Sequence, residues 1–142
     1  MILTAAFATD DGMHFINRHF GDAEFYDVYE ISRENTAFIK QIRNSSGEES
    51  GELHADPAKA KSVSGILLKE GVTIVVSKIF GPNIKRIRKK FVCVICSDST
   101  IETAVQTIQE HIGEIEAEWR KGAERGHLRL SSANPANEKI ER

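Results

Sequence analysis

The spacing of apolar residues changes part-way along the chain, from patterns typical of strands to patterns typical of helices. Residues 2–8 form a nearly continuous apolar run, as expected for a central strand covered on both faces. Residues 24–31 and 36–43 combine aromatic and β-branched residues with alternating polar ones. The short polar turn SRENT joins these two segments, so we predict that they form a β-hairpin.

After a polar, glycine-containing loop over residues 44–55, short apolar runs alternate with helical patterns. Asp56 followed by Pro57 predicts a helix start, with an N-cap residue and a proline at the first helical position. The apolar residues at 72–76 and 91–96 predict two buried strands. The turn Gly-Pro-Asn between these strands predicts the start of a short helix.

The last regular pattern is an amphipathic helix that begins at a capping box, from Ser99 to Glu102. Steps of four and three residues place six apolar side chains on one stripe: Ile101, Val105, Ile108, Ile112, Ile115 and Trp119. We expect one long helix that packs this stripe on the sheet, with pairing to another subunit as the alternative. Because the chain is polar and aperiodic beyond it, we predict one domain over residues 1–122 and a flexible tail over 123–142.

The element order β-β-β-α-β-α-β-α predicts an α/β domain with three layers and a mixed five-stranded sheet. The strands joined by helices should be parallel, and the hairpin should add an antiparallel edge. This is the plan of ribonuclease H-like folds. The likeness is one of element order and assigns no function.

Composition excludes several classes of protein. The chain has 142 residues, of which 40% are hydrophobic and 28% charged, and its net charge is −2. With so small a charge we do not expect nucleic acid or a membrane surface as a partner. No apolar run has the length of a membrane span, and the N-terminus lacks the basic start of a signal peptide. With only two cysteines, we expect a protein of the reducing cytoplasm.

Four segments of the chain carry a resemblance to a known family. They are ATDDG after the first strand, HFGDAEFYDVYEI, LLKEGVTIVVSKIFGPN and TIETAVQ. In content and order these segments resemble the dinitrogenase iron–molybdenum cofactor biosynthesis family. The resemblance implies a small domain that binds or carries an iron–sulfur or iron–molybdenum cluster or its precursor. Proteins that donate and accept the cluster would then be its partners.

Three histidines are candidate metal ligands. The resemblance favours His19, because a neutral imidazole is a good ligand for iron and the nearby Gly21 lets backbone approach a bulky group. The alternative is that His19 only shapes its turn. His14 lies in the same loop beside the thioether of Met13, and His54 precedes the first helix and could reach the same face. Either could equally be a solvated loop histidine.

The loops after two strands that should be neighbours are expected to form the mouth of the site. Acids at Asp10 and Asp11 could bind a cation or accept loop amides, although Asp-Asp-Gly is also a plain turn signal. The candidate cofactor-binding residues are Asp10, Asp11, Gly12, Gly21, Gly81, Pro82 and Asn83. The basic run KRIRKK over residues 85–90 could attract an anionic ligand or could be a solvated face.

Cys93 and Cys96 have the C-x-x-C spacing of many metal sites. On a strand, residues three apart point to opposite faces, so we expect Cys93 in the core and keep Cys96 only as a weak candidate ligand.

We therefore predict a small non-enzymatic carrier of a metal cluster. The alternative is a regulatory or partner-binding domain without a cofactor. A metal-dependent nuclease ranks third, because such an enzyme needs several converging carboxylates and no acid follows the strand at residues 72–76.

Overall fold

The computed structural model describes residues 2–44 and 57–132, and for residues 57–62 it describes the backbone alone. Six strands form one mixed sheet: β1 (Leu3–Thr9), β2 (Phe25–Ile31), β3 (Thr36–Arg43), β4 (Ile74–Ser77), β5 (Val92–Cys96) and β6 (His127–Leu130). Their order across the sheet is β3-β2-β1-β4-β5-β6.

The sheet changes character on the two sides of β1. On one side, β1 pairs antiparallel with β2, and β2 pairs antiparallel with β3, as the hairpin pattern predicts. On the other side β1, β4, β5 and β6 are all parallel. The carboxyl ends of these four strands therefore lie at one edge of the sheet. From β1 the chain adds β2 and β3 on one side and then β4, β5 and β6 on the other, so the strand order reverses at the boundary between β1 and β4.

Among the described residues, four helices accompany the sheet: α1 (Pro57–Lys69), α2 (Ile84–Ile87), α3 (Ile101–Glu110) and α4 (Ile112–Trp119). The same ranges contain short 3-10 turns at Phe20–Asp22 and Gly122–Glu124. None of the helices within residues 2–44 and 57–132 has the length and apolar character that crossing a membrane requires.

Each face of the sheet carries its own hydrophobic core. On one face, apolar side chains of α3 and α4 such as Ile108 and Ile115 pack against β-strand residues that include Phe7 and Val94. On the other face, α1 and α2 cover a second core that includes Leu67. This arrangement confirms the predicted three-layer α/β architecture, and the apolar stripe after residue 100 packs on the sheet as expected.

The expected five-stranded sheet is wrong by one strand. Residues 127–130, which we assigned to a flexible tail over 123–142, form β6 and pair with β5. The sequence of this edge strand, HLRL, alternates polar and apolar residues, but four residues are too few to distinguish a strand from a polar tail. Residues 133–142 lie outside the described residues.

Contacts between α4 and the segment before β6 explain how so short a strand is held. The guanidinium of Arg125 is 4.2 Å from the ring centre of Trp119, and its Nε donates to the Trp119 carbonyl oxygen at 3.1 Å. Arg125 also donates to the Lys89 carbonyl oxygen at 2.9 Å. The buried Glu118 carboxylate accepts the Gly126 amide at 2.7 Å. The contact between Arg125 and Lys89 is long-range, since the two residues lie 36 positions apart in sequence, and no periodic pattern predicts any of these contacts.

The long helix that we expected after residue 99 is two helices. They meet at His111, whose ring Nδ1 lies 2.8 Å from the Thr107 carbonyl oxygen. The capping residue is Thr100 and not Ser99, because the Thr100 hydroxyl accepts the amide of Thr103. The apolar stripe survives this break, since its residues on both helices remain in one core.

Candidate functional site

The candidate site lies at the boundary between β1 and β4, on the edge of the sheet where the parallel strands end. The segment over residues 10–23, which we call the histidine loop, follows β1 and reaches across to the segment after β4. A backbone bridge joins His19 to Ile79 and locks the two segments together. In open α/β sheets, ligands bind at this kind of position, where the direction of strand progression reverses.

His19 and Gly81 are the predicted site residues that the fold brings into contact. The His19 ring lies so close to Gly81 that a Cβ at position 81 would be 2.6 Å from the ring Nδ1 and 2.7 Å from Cε1. Gly81 also has a φ of 74°, which side chains other than glycine rarely adopt. The His19 side chain is exposed, and no hydrogen bond joins its ring to any other residue of the described ranges.

Aromatic stacking beneath His19 explains why His-Phe-Gly and Phe-Gly-Pro occur together. Phe20 is 1% exposed and stacks on Phe80 with 5.1 Å between ring centres. The Tyr26 ring packs on Phe20 at 5.0 Å, and the Tyr26 hydroxyl donates to the Phe20 carbonyl oxygen at 2.7 Å. Two buried phenylalanines thus anchor the neighbouring His19 and Gly81 at the surface.

Asp11 and His14 form a hydrogen-bonded pair in the exposed part of the histidine loop. Nδ1 of His14 lies 2.9 Å from Oδ2 of Asp11, and the Asp11 carboxylate also accepts the amides of Met13 and His14 at 2.8 Å. The His14 ring and these amides hold the pKa of Asp11 well below its usual range. The Thr9 hydroxyl donates to the His14 carbonyl oxygen at 2.7 Å and accepts the Gly12 amide at 2.9 Å.

Asp10 is occupied by a cation of the same loop. The Arg18 guanidinium donates to both carboxylate oxygens of Asp10, at 2.9 and 3.1 Å, and the Glu24 amide donates to one of them at 2.9 Å. The hydrogen bond from Arg18 is the main cause of the lowered pKa of Asp10. Asp10 therefore closes the loop and is not presented as an open metal ligand.

The histidine loop is also fastened to the start of α3. The Ile101 amide donates to the Met13 carbonyl oxygen at 2.8 Å, and the Phe15 amide donates to that of Ser99 at 3.3 Å. A shallow depression of about 250 Å³ lies on the loop, lined by Asp10, Asp11, His14, Phe15, Ile16, Asn17 and Arg18. The loop is therefore an ordered surface that carries exposed imidazole rings.

Comparison with known proteins identifies the family of the chain. The family model described as dinitrogenase iron–molybdenum cofactor matches residues 1–111. The chain belongs to this family.

A solved structure from Methanocaldococcus jannaschii, provisionally named a dinitrogenase, is similar in fold to this family member. Its TM-score is 0.55 and its identity 19%, and the alignment covers 78% of this chain and 90% of that one. At this identity the likeness establishes the shared fold alone. No curated protein matches the chain.

The remaining predicted site residues of the family member make no hydrogen bond to the His19 ring within the described ranges. Pro82 and Asn83 are exposed in the turn that leads into α2. Gly12 adopts a φ of 79° in the turn after β1. A Cβ at Gly21 would meet nothing within 4 Å, so no close approach requires glycine there. His54 lies outside the described residues.

Within residues 2–44 and 57–132, no three side chains of His, Cys, Asp or Glu gather closely enough to hold a metal ion. The two cysteines face opposite cores, Cys93 with α1 and α2 and Cys96 with α3 and α4, as their spacing on a strand predicts. Burial raises the pKa of each thiol to about 12. The described part of this family member thus offers single imidazole ligands and no preformed metal cage.

Sequence reasoning missed the residues that organise the site. Arg18 was not identified, although a cation eight residues after an acid in one loop is a usable signal for an ion pair. The aromatic anchors Phe20 and Phe80 were read only as parts of motifs. Their adjacency to His19 and Gly81 was the available signal, because a buried aromatic residue fixes the position of its exposed neighbour.

Proposed function

We propose that this protein binds an iron–sulfur or iron–molybdenum type cluster, or a precursor of one, and carries it as cargo during metallocluster assembly. Membership of the dinitrogenase iron–molybdenum cofactor family supports an association with this cofactor. The observation that carries the proposal is the exposed His19 ring, which is held against Gly81 at the boundary between β1 and β4.

A single well-placed imidazole suits a carrier. A neutral imidazole nitrogen of His19 would coordinate iron, which accepts nitrogen ligands readily. The contact with Gly81 limits the ring's movement, so little rotational freedom would be lost on binding. A cargo held through few protein ligands can also be released to an acceptor, whereas a closed cage would retain it.

His14 is a second ligand in the proposal. When the proton is on Nδ1 and forms the hydrogen bond to Asp11, the lone pair of Nε2 is free to bind a metal. A carboxylate behind a ligating imidazole fixes the ring orientation and raises its basicity. Asp11 would therefore support His14 without itself contacting the metal.

The proposal assigns no catalytic reaction to the protein. A nuclease would require carboxylates free to hold two metal ions, but Asp10 is engaged by Arg18 and by the amide of Glu24. We predict no cleavage of RNA–DNA hybrids with magnesium or manganese. Metal-dependent cleavage that disappears in Asp10→Asn would contradict this assignment.

Donor and acceptor proteins are the proposed partners, in the reducing cytoplasm. Met13 and Ile79 are 63% and 40% exposed, and both lie on the segments that hold His19. Exposed apolar side chains next to a cargo site suit transient protein contacts, in which a partner covers them during transfer.

The test is cluster binding under anaerobic conditions. Wild-type protein and single histidine variants are incubated with ferrous iron and sulfide, and bound iron and sulfide are then measured with the visible absorption spectrum. We expect His19→Ala to lose most of the bound iron, and His14→Ala to lose part of it. His127→Ala, an exposed histidine on β6, should bind as the wild type does. His54→Ala tests the remaining candidate in the same assay.

The alternative, a regulatory or partner-binding domain without a cofactor, has one observation in its favour. No group of three metal-ligating side chains exists in the described ranges. Absence of cluster uptake by the wild type and all variants would favour this alternative. Equal uptake by the wild type and His19→Ala would remove His19 from the site.

A further inference from the structure

A second concavity, of about 530 Å³, opens at the same edge of the sheet but farther along it. It lies where β4, β5 and β6 end, and we call it the basic crevice. Its lining includes Lys78, Ile95, Ser97, Arg129, Leu130 and Ser131. None of these residues belongs to the histidine loop, and the crevice has no part in the proposed cluster site.

The charge of the basic crevice is positive and uncompensated within the described part of the chain. Lys78 is half-buried at the end of β4, and Arg129 is exposed on β6. Neither side chain forms an ion pair or side-chain hydrogen bond with another described residue. In contrast, Arg18 and Lys40 each lie 2.9 Å from a carboxylate oxygen.

The acid beside the crevice, Asp98, already accepts hydrogen bonds from other groups. Its carboxylate accepts the hydroxyls of Ser132 and Thr107, each at 2.8 Å, and the Ser132 amide at 3.0 Å. The Cys96 thiol adds a fourth contact at 3.3 Å. Asp98 is 7% exposed and does not line the crevice, so it does not neutralise Lys78 and Arg129 there.

We propose that the basic crevice binds a small organic oxyanion, with a phosphate or carboxylate head group on an apolar body. Arg129 would hold the head group through its planar fork of donors, and Lys78 would add a point charge. The Ser97 hydroxyl at the rim can donate a further hydrogen bond. Ile95 and Leu130 form an apolar part of the lining that suits a ring or a short hydrocarbon chain, and the volume is that of a small-molecule site.

The crevice depends on a part of the chain that the family match does not include. The match ends at residue 111, whereas Arg129, Leu130 and Ser131 come from β6 and the residue after it. One cation and part of the apolar lining are therefore supplied by the extension, and the other cation by the family core. A ligand bound here would be a property of this chain beyond the cluster site.

The proposal is tested by titrating the full-length protein, without cluster, with three probes. These are phenyl phosphate, benzoate and inorganic phosphate, followed by amide chemical shifts in NMR spectra. We expect saturable shifts at Ser97 and Leu130 with phenyl phosphate or benzoate, and weaker binding of inorganic phosphate. Arg129→Gln and Lys78→Gln should each weaken binding by about tenfold. The preferred probe distinguishes a phosphate ester from a carboxylate as the head group.

Matched controls separate this site from general attraction of anions. Lys69→Gln and Arg120→Gln remove exposed cations outside the crevice and should leave the dissociation constants unchanged. Ser97→Phe keeps both crevice cations but fills the space, so it should abolish binding. The proposal is overturned if no probe saturates, if all four cation variants weaken binding equally, or if inorganic phosphate binds as tightly as phenyl phosphate.

Discussion

The histidine loop and the basic crevice lie on the same edge of one sheet but treat charge in opposite ways. In the loop, Asp10 is paired with Arg18 and Asp11 with His14, so that these two acids have partners within the same loop. In the crevice, Lys78 and Arg129 come from strands far apart in sequence and have no acidic partner among the described residues.

This difference separates two ways of preparing a binding surface. Local hydrogen bonds hold Asp10 and Asp11 within the loop and leave the exposed His19 ring without a hydrogen-bond partner among the described residues. The crevice keeps two cations without an acidic partner among the described residues, and such a positive field favours the approach of an anion. The first surface suits coordination of a metal, and the second suits capture of a charged small molecule.

The largest effect should come from removing β6, which supplies part of the basic crevice. A chain ending at Gly122 lacks β6, the Arg125 contacts to Trp119 and Lys89, and the Gly126 amide that Glu118 accepts. Because Glu118 would keep a buried carboxylate with fewer donors, we expect a loss of more than about 3 kcal/mol in the free energy of unfolding. Urea denaturation followed by circular dichroism measures it.

The matched control for this truncation is a chain ending at Ser132. It keeps every contact that the structure describes for β6 and should unfold close to the wild-type midpoint. If the chain ending at Gly122 were as stable as the wild type, β6 would not be needed for the stability of the fold.

The next effect concerns the loop side, at Gly81. An alanine there would place Cβ 2.6 Å from the His19 ring in a backbone conformation that disfavours side chains, so the ring must move. We expect Gly81→Ala to cost about 2 kcal/mol of stability and to reduce cluster uptake. Gly21→Ala is the control, because its Cβ would meet nothing within 4 Å. Equal stability and equal cluster uptake of the two variants would show that the contact between His19 and Gly81 is not required.

A smaller, pH-dependent effect is expected behind the crevice, at Asp98. Burial alone would raise the pKa of this carboxyl, but hydrogen bonds from Ser132, Thr107 and Cys96 outweigh it and lower the pKa. The associated stability is therefore present above the unfolded-state pKa of about 4 and is lost as pH falls through the folded-state pKa. Asp98→Asn should cost about 1.5 kcal/mol at neutral pH and flatten the acid limb.

Unfolding free energies between pH 7 and pH 2 check this expectation. The control is Glu110→Gln, which changes an exposed acid at the end of α3. It retains all the hydrogen bonds of Asp98 and should keep the wild-type profile. An acid limb in Asp98→Asn as steep as in the wild type would show that other carboxyls control it.

The smallest effect should be on the rate of cluster loading, through long-range electrostatic attraction. Lys85, Lys89 and Lys90 are exposed near the turn at Gly81. Changing all three to Gln leaves Ile84 and Ile87 in place, so the fold should persist. If these lysines steer an anionic cargo, loading from a cluster donor should slow several-fold at low salt, and the difference should shrink near 0.15 M, where screening acts over about 8 Å. Identical stopped-flow rates at low salt would exclude steering.

Much of the architecture follows from local patterns. The continuous apolar runs identify β1, β4 and β5 because a strand covered on both faces needs apolar residues throughout. The hairpin of β2 and β3 follows from aromatic alternation around a polar turn. The stripe from Ile101 to Trp119 identifies helical residues of the core, although it does not register the break at His111.

The position of the candidate site could be predicted from the sequence, but the contacts between its residues could not. The motifs around His19 and Gly81 indicated which loops would meet, because parallel neighbouring strands bring their carboxyl ends together. They did not indicate that Asp10 is neutralised by Arg18, since a turn and a metal site use the same Asp-Asp-Gly sequence. They also did not reveal that His19 rests directly on Gly81.

Local sequence patterns account for the elements whose stability depends on their own periodicity: the central strands, the hairpin and the apolar face of α3 and α4. The existence of β6 and of the basic crevice beside it depends instead on tertiary packing. A four-residue edge strand carries too few apolar positions to form alone, so it depends on Arg125 and on the buried Glu118. Arg125 also donates to the Lys89 carbonyl oxygen, 36 positions away in sequence, and this contact exists only after the sheet and α4 have packed.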